Sequence, residues 1–149
     1  MQAFEATHPD FADQVRRNLL SQPFMQTIGA SITDIQPGFC EISVGYRDEL
    51  SHHPGGFHPG IIDTIAMNAA GYATYTISKA DTPYAILTVE HKFNLLAPPD
   101  GDLLIARGRV FKPGGLLTVA HTDVFVRQNG TEKQCAFAVF TKLDSQKLG

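Results

Sequence analysis

The pattern of apolar and polar positions changes period several times along the chain, and each change marks an element. Phe11, Val15 and Leu19 recur every four residues, which predicts an N-terminal helix within residues 1–22 carrying a single apolar stripe. Thr7 can cap it, Pro9 can sit in its first turn, and Ser21-Gln22-Pro23 ends it. Phe24 and Met25 are expected to pack the next segment onto the body. From Phe39 the period becomes two. Cys40, Ile42, Val44 and Tyr46 face one way and Phe39, Glu41, Ser43 and Arg47 the other, as in a half-buried strand. Residues 30–35 are its expected hairpin partner, with the turn at Gln36-Pro37-Gly38. Residues 51–60, Ser-His-His-Pro-Gly-Gly-Phe-His-Pro-Gly, read as a loop.

Residues 61–78 are apolar on every side of a helix, with Asp63 as their only charge. Alanines and scattered polar residues make this a buried core helix, not a membrane span. After Pro83 the chain reads as strand: 84–95, with Ala85, Leu87, Val89, His91 and Phe93 on one face, then 103–111, 116–127 and 133–143. Asn129-Gly130 is the strongest hairpin signal. The tail beyond Leu143, residues 144–149, is expected to fray. The order is helix, two strands, buried helix, then a meander of four strands, without repeat or linker. That is one α+β domain spanning residues 1–149, a curved antiparallel sheet around one long central helix plus an N-terminal helix. A single sheet covers only part of an all-apolar helix, so a second copy is expected to cover the rest as a symmetric dimer.

Composition narrows the classes. A length of 149 residues suits one domain. With 43% apolar and 18% charged residues the chain is globular, not disordered. A net charge of −3 without any Lys/Arg run speaks against a dedicated nucleic-acid binder and against a polybasic membrane anchor. Cys40 and Cys135 lack metal or redox spacing and are expected to be buried free thiols. The first ten residues do not have the layout of a secretory signal, so the cytoplasm is the default location.

The chemistry concentrates where the loop meets the buried helix: His52, His53, His58-Pro59-Gly60, then Asp63. A buried helix start presents backbone N–H groups and the positive end of the dipole to an anion, or to an oxygen gaining negative charge. The same histidines and Asp63 are acceptable zinc ligands, but their spacing matches no zinc pattern, and no metal is expected. Asp63 also has a plainer reading, as a carboxylate complementing the helix dipole.

Gly56-Phe57-His58-Pro59-Gly60-Ile61-Ile62, the Ala-Met-Asn-Ala-Ala-Gly-Tyr-Ala run at 66–73, Leu87-Thr88-Val89-Glu90 and Asn94-Leu95-Leu96-Ala97-Pro98 resemble the hotdog-fold acyl-CoA thioesterases, most closely the phenylacetate-degradation type. Gly101-Asp102, Lys112-Pro113-Gly114 and Asp123-Val124-Phe125 also fit, and the likeness runs from about residue 24 to 143. It implies a dimer or dimer of dimers with its site between subunits, hydrolysis of an acyl-CoA or related thioester, and no cofactor beyond the coenzyme A of the substrate.

In that family a His-Gly-Gly turn polarises the thioester carbonyl. A carboxylate nine positions later serves as base or nucleophile, an Asn or Gln six positions earlier holds water, and a Ser or Thr opening the next strand assists. Here His58 and Gly60 match the turn, with Pro59 replacing its first Gly. The water-holding position is His52, the Ser/Thr position is Thr88, and the carboxylate position is Met67, which can do no acid–base work. Asp63, one turn before Met67, is the expected replacement base, with His52, His53 or His58 as alternatives. The catalytic set is therefore Asp63, His52, His58, Gly60 and Thr88. Phe57, Met67, Asn68, Lys112 and Gly114 are the expected substrate contacts, Lys112 through a coenzyme A phosphate. A non-catalytic hotdog protein that binds an acyl thioester is the alternative.

Overall fold

A computed structural model describes residues 3–148. Two N-terminal helices, α1 (Phe11–Ser21) and α2 (Pro23–Thr27), precede the hairpin β1 (Ser31–Gln36) and β2 (Phe39–Gly45). A small second hairpin, β3 (Ser51–His53) with β4 (Gly56–Phe57), leads into the long helix α3 (Pro59–Tyr75). Four long strands follow: β5 (Ile86–Leu95), β6 (Leu103–Lys112), β7 (Leu117–Gln128) and β8 (Thr131–Asp144). Six of the strands form one antiparallel sheet in the order β1-β2-β6-β7-β8-β5, and α3 lies across one face of it. This is the α+β layout expected from the periodicities. No helix among the described residues is long and apolar enough to cross a membrane.

The core forms where the two periods meet. Ile62, Ile65, Ala66, Ala69, Ala70 and Ala73 of α3 are fully buried against the inward residues of β2, β6, β7 and β8. Small side chains let helix and sheet approach closely. At Gly108 of β6 a Cβ would stand 2.3 Å from the Ala69 carbonyl carbon, so backbone touches backbone there. Asn129 and Gly130 both take positive φ, 51° and 79°, the primed turn that matches the twist of β7 and β8. Cys40 and Cys135 are buried free thiols. Burial pushes Cys135 up to about 11 and Cys40 further, which keeps both unreactive.

Several expectations are corrected. α1 starts at Phe11, so Thr7 and Pro9 precede it; the N-cap is Asp10, whose carboxylate instead accepts from Gln14 Nε2 at 2.7 Å. Pro23 stops α1 but also opens α2, because a proline at a first helical position gives up only an N–H that would be unpaired anyway. Met25 is buried, as expected, whereas Phe24 stays exposed. Residues 51–57 are not a plain loop but the β3–β4 hairpin. Ser145–Lys147 form a 3₁₀ turn in place of a frayed tail. There Asp144 accepts from the Gln146 N–H, and the Gln146 side chain accepts from the Asp81 N–H at 2.9 Å.

The main difference concerns β5. It does not begin a meander: it pairs with β8 at the sheet edge, and residues 96–102 carry the chain across to β6. Its register shifts between Thr88 and Glu90, where Val89 is the extra residue of a bulge. Thr88 lies opposite Lys142, and His91 opposite Phe140, both inward residues of β8. The bulge thus turns Thr88 and His91 to the helix side, and leaves Leu87 and Val89 about half exposed.

Candidate functional site

Helix α3, edge strand β5 and β8 meet in a seam around the buried Lys142. Lys142 projects inward from β8 and is 2% exposed. Its Nζ donates to the Met67 carbonyl oxygen at 2.8 Å and to Thr88 Oγ1 at 2.6 Å. Burial pulls this amine down to about 7, against a smaller opposing effect of the Asp63 charge. The fit is local. Alternation along β8 faces Ala136, Ala138, Phe140 and Lys142 to the helix, and the β5 bulge aims Thr88 back at the amine.

One turn before Met67, Asp63 Oδ2 stands 3.1 Å from His91 Nε2. The other oxygen, Oδ1, is buried and has no hydrogen-bond partner. The His91 ring is held by stacking on Phe140, with centroids 5.3 Å apart and planes 13° from parallel. A carboxylate with one oxygen fixed and one free is suited to accept a hydrogen bond from a water molecule or a ligand.

A cleft of about 630 Å³ opens beside the seam, lined by Met67, Asn68, Thr88 and Lys142. Asn18, Gln22 and Phe24 of the N-terminal helices form its other wall. That wall is anchored to α3, since the Tyr72 hydroxyl donates to Asn18 Oδ1 and accepts from Gln22 Nε2, both at 2.9 Å. Its mouth is apolar, with Phe24, Tyr84 and Leu87 exposed. Asn68 Nδ2 is spent on the Thr64 carbonyl of its own helix. A second hollow of about 580 Å³ lies on the other side of Lys142 and includes Gly114. A third hollow, about 880 Å³ between the β1–β2 turn and Arg109–His121, contains none of the predicted residues.

At the start of α3 the geometry differs from the expectation of open N–H groups. His58 is the N-cap, and its Nδ1 accepts from the Gly60 N–H at 2.9 Å. Pro59 has no N–H, and the Ile61 N–H is bonded to the His58 carbonyl. The first-turn donors are therefore satisfied within the protomer. The His52 ring lies 6.1 Å from that of His58 and 5.0 Å from that of His53, centroid to centroid. Among the described residues no three His, Cys, Asp or Glu side chains are arranged to share a metal ion.

The structure thus brings Met67, Asn68 and Thr88 together, with Asp63 one turn away, and groups His52 with His58 and Gly60 at the helix tip. Phe57 lines none of these three hollows: it is wholly buried, edge-on to Tyr46 at 5.4 Å. Lys112 is exposed at the end of β6 and lines neither hollow beside Lys142. Two residues of the seam were missed from sequence. Lys142 had a legible signal, a lysine on the apolar side of an alternating strand. His91 had one too, a histidine on the apolar face of the alternating 84–95 stretch, although the bulge that turns Leu87 outward while His91 stays inward leaves no mark in the pattern.

No protein-family model matches the chain, and no curated protein matches it. Solved structures do. A thioesterase family protein from Silicibacter pomeroyi is 35% identical, over 89% of this chain and 96% of that one, with a TM-score of 0.83. The PaaI protein of the phenylacetic acid degradation operon of E. coli is similar in fold, with 17% identity over 91% and 93% of the chains and a TM-score of 0.78. A thioesterase from Haemophilus influenzae shares 16% identity over 95% and 94%, with a TM-score of 0.77.

Proposed function

The chain belongs to the thioesterase family of hotdog-fold proteins, and from that membership we propose that it hydrolyses a small or medium acyl thioester, such as an acyl-CoA, at the seam between α3 and β5. One observation carries this reading: Asp63 is held by His91 through one oxygen and offers the other, buried and unpartnered, to a water molecule. Asp63 takes a proton from that water as it attacks. The acyl group lies in the cleft among Met67, Phe24 and Leu87, and the carrier arm leaves through the apolar mouth. The carbonyl oxygen takes the Gly60 N–H, which requires His58 Nδ1 to turn away from it. The reaction needs no metal or redox cofactor, and coenzyme A enters only as part of the substrate.

The site is proposed to lie between two subunits. β5 is an edge strand whose second side is unpaired in the protomer, and Leu87 and Val89 are exposed along it. A second copy pairing there would close the seam from outside.

Thiol release from acetyl-, hexanoyl- and benzoyl-CoA tests the reading. Turnover of at least one thioester is expected, with a fall of about 100-fold or more for Asp63→Asn. Capture of a thioester without turnover is the second reading. It is favoured by Met67 at the position of the family carboxylate and by the occupied Gly60 N–H. It is the outcome if all three substrates raise the melting temperature and none releases thiol.

A further inference from the structure

We propose that Thr88 and Lys142 form a nucleophile–base pair, so that hydrolysis passes through an ester of the acyl group on Thr88 Oγ1. The proposal rests on the thioester reading of the same seam and changes what happens there: the carbonyl sits further along α3, beside Thr88 and away from the Gly60 N–H, the first attacking oxygen belongs to the protein, and water enters second.

Three independent features support it. The first is contact: Nζ and Oγ1 are 2.6 Å apart, the reach of a nucleophile–base hydrogen bond. The second is placement. Lys142 is buried while Thr88 is half-buried in the lining of the cleft, so the hydroxyl faces the ligand space and the amine stands behind it. The third is the bulge at Val89, which breaks the alternation of β5 just after Thr88 and so sets the facing of this hydroxyl relative to the rest of the strand. Serine and threonine hydroxyls paired with an amine are a known variant of the hydroxyl–base arrangement.

Burial sets the protonation that the chemistry requires. With its amine pulled down to about 7, Lys142 is substantially neutral at neutral pH. A neutral amine keeps two N–H donors and one lone pair. One N–H stays on the Met67 carbonyl, and the lone pair can turn to the Thr88 hydroxyl. The groups facing Lys142 are few. Asp63 from α3 opposes the shift, and β5 presents His91 only through Asp63. β7 presents neutral Thr118 opposite it, and on its own strand Asp144 is paired with Lys147 at 3.4 Å.

The steps balance. Thr88 Oγ1 bonds to the thioester carbonyl carbon as its proton passes to Lys142 Nζ. The C–S bond breaks, and the thiolate leaves with that proton, giving acyl-Thr88 and free thiol. Water held at Asp63 then adds to the ester carbonyl, with Asp63 taking its proton. That proton returns by way of Lys142 to Thr88 Oγ1 as the C–O bond breaks and the carboxylic acid departs. No oxidant or co-reactant is required. A covalent acyl-enzyme also makes transfer to an alcohol or amine acceptor a built-in side activity.

Two readouts on the full-length protein test this. In the first, hexanoyl thioesters of coenzyme A and of N-acetylcysteamine are turned over in the presence of methanol, and the ratio of methyl ester to acid is measured. A shared acyl-Thr88 gives the same ratio for both carriers; ratios that differ overturn the proposal. In the second, acid-quenched reactions are weighed by intact-mass spectrometry and the adduct is mapped. Wild type and Thr88→Ser are expected to carry the acyl group at position 88, and Thr88→Val to carry none and lose at least 100-fold in turnover. Lys142→Met should behave as Thr88→Val does, and if it fails to fold the Thr88 variants still decide. Turnover within threefold of wild type in Thr88→Val overturns the pair and leaves direct attack by water. Adduct without turnover keeps the pair and ends the hydrolase reading. Neither adduct nor turnover overturns both.

Discussion

His91 Nε2 and Asp63 Oδ2 stand 3.1 Å apart across the seam, joining the edge strand to the first turns of the buried helix. The contact leaves Asp63 Oδ1 as the free oxygen, so His91 acts by orienting the carboxylate. His91→Gln retains a donor at similar reach but loses the ring stacked on Phe140 and the ability to carry a charge. It is expected to lower kcat by about tenfold, the worth of roughly one charge-assisted hydrogen bond, with little change in KM. A change in KM alone would assign His91 to substrate binding.

Lys142 ties stability to pH. Its folded-state amine titrates at about 7 against 10.5 in the unfolded chain. Below pH 7 both states hold the proton, and the native state bears the whole cost of burying the charge. Between 7 and 10.5 only the unfolded state holds it, so stability rises with pH, by up to about 1.4 kcal/mol per unit. In thermal melts the stability of wild type relative to Lys142→Met should therefore be lowest below pH 7 and improve toward pH 10. A difference that does not vary with pH would mean that the amine stays charged in the fold.

Glu132 gives the opposite dependence. Arg107 and Arg127 donate to it at 2.7–3.1 Å and hold its carboxyl down at about 2, against 4.5 unfolded. Its stabilisation is complete above pH 4.5 and is lost as pH falls toward 2. The pair groups are partly exposed, so Glu132→Gln should cost only about 1–2 kcal/mol at pH 7, and almost nothing near pH 2. Urea titrations at the two pH values check this.

The crossing of β6 under α3 has no room for a side chain. Gly108→Ala would drive a methyl group into the Ala69 and Ala70 backbone and is expected to cost about 1–3 kcal/mol. Gly115→Ala meets nothing within 4 Å and should be close to neutral. Equal midpoints for the two variants would refute the close approach.

The β5 edge predicts an assembly. With Val89 52% exposed on a strand whose outer side is unpaired in the protomer, Val89→Arg should convert a wild-type dimer or tetramer to a monomer in sedimentation at micromolar concentration. A monomeric wild type would remove the subunit-interface site.

Periods of hydrophobicity were enough to find every long element, because a buried face imposes its own spacing on a helix or a strand. The apolar run of α3, the alternation of β2 and β8, and the Asn129-Gly130 turn are all local signals, and all are borne out. The position of Thr88 as a site candidate was available only through family resemblance, since a threonine in a strand has no local mark of function.

Tertiary structure alone decided what these elements bring together. A bulge at Val89 reverses the facing of everything beyond it, and no pattern in the residues of β5 announces that slip. The pairing of β5 with β8 places Thr88 against Lys142, 54 positions away, and sets His91 beside Asp63, 28 positions away. The same holds at the tip of α3, where His58 turns back onto the Gly60 N–H that the motif would leave open. Local chemistry determines which element a stretch of chain becomes; contacts between distant residues depend on registers and side-chain directions that are settled only when the elements pack.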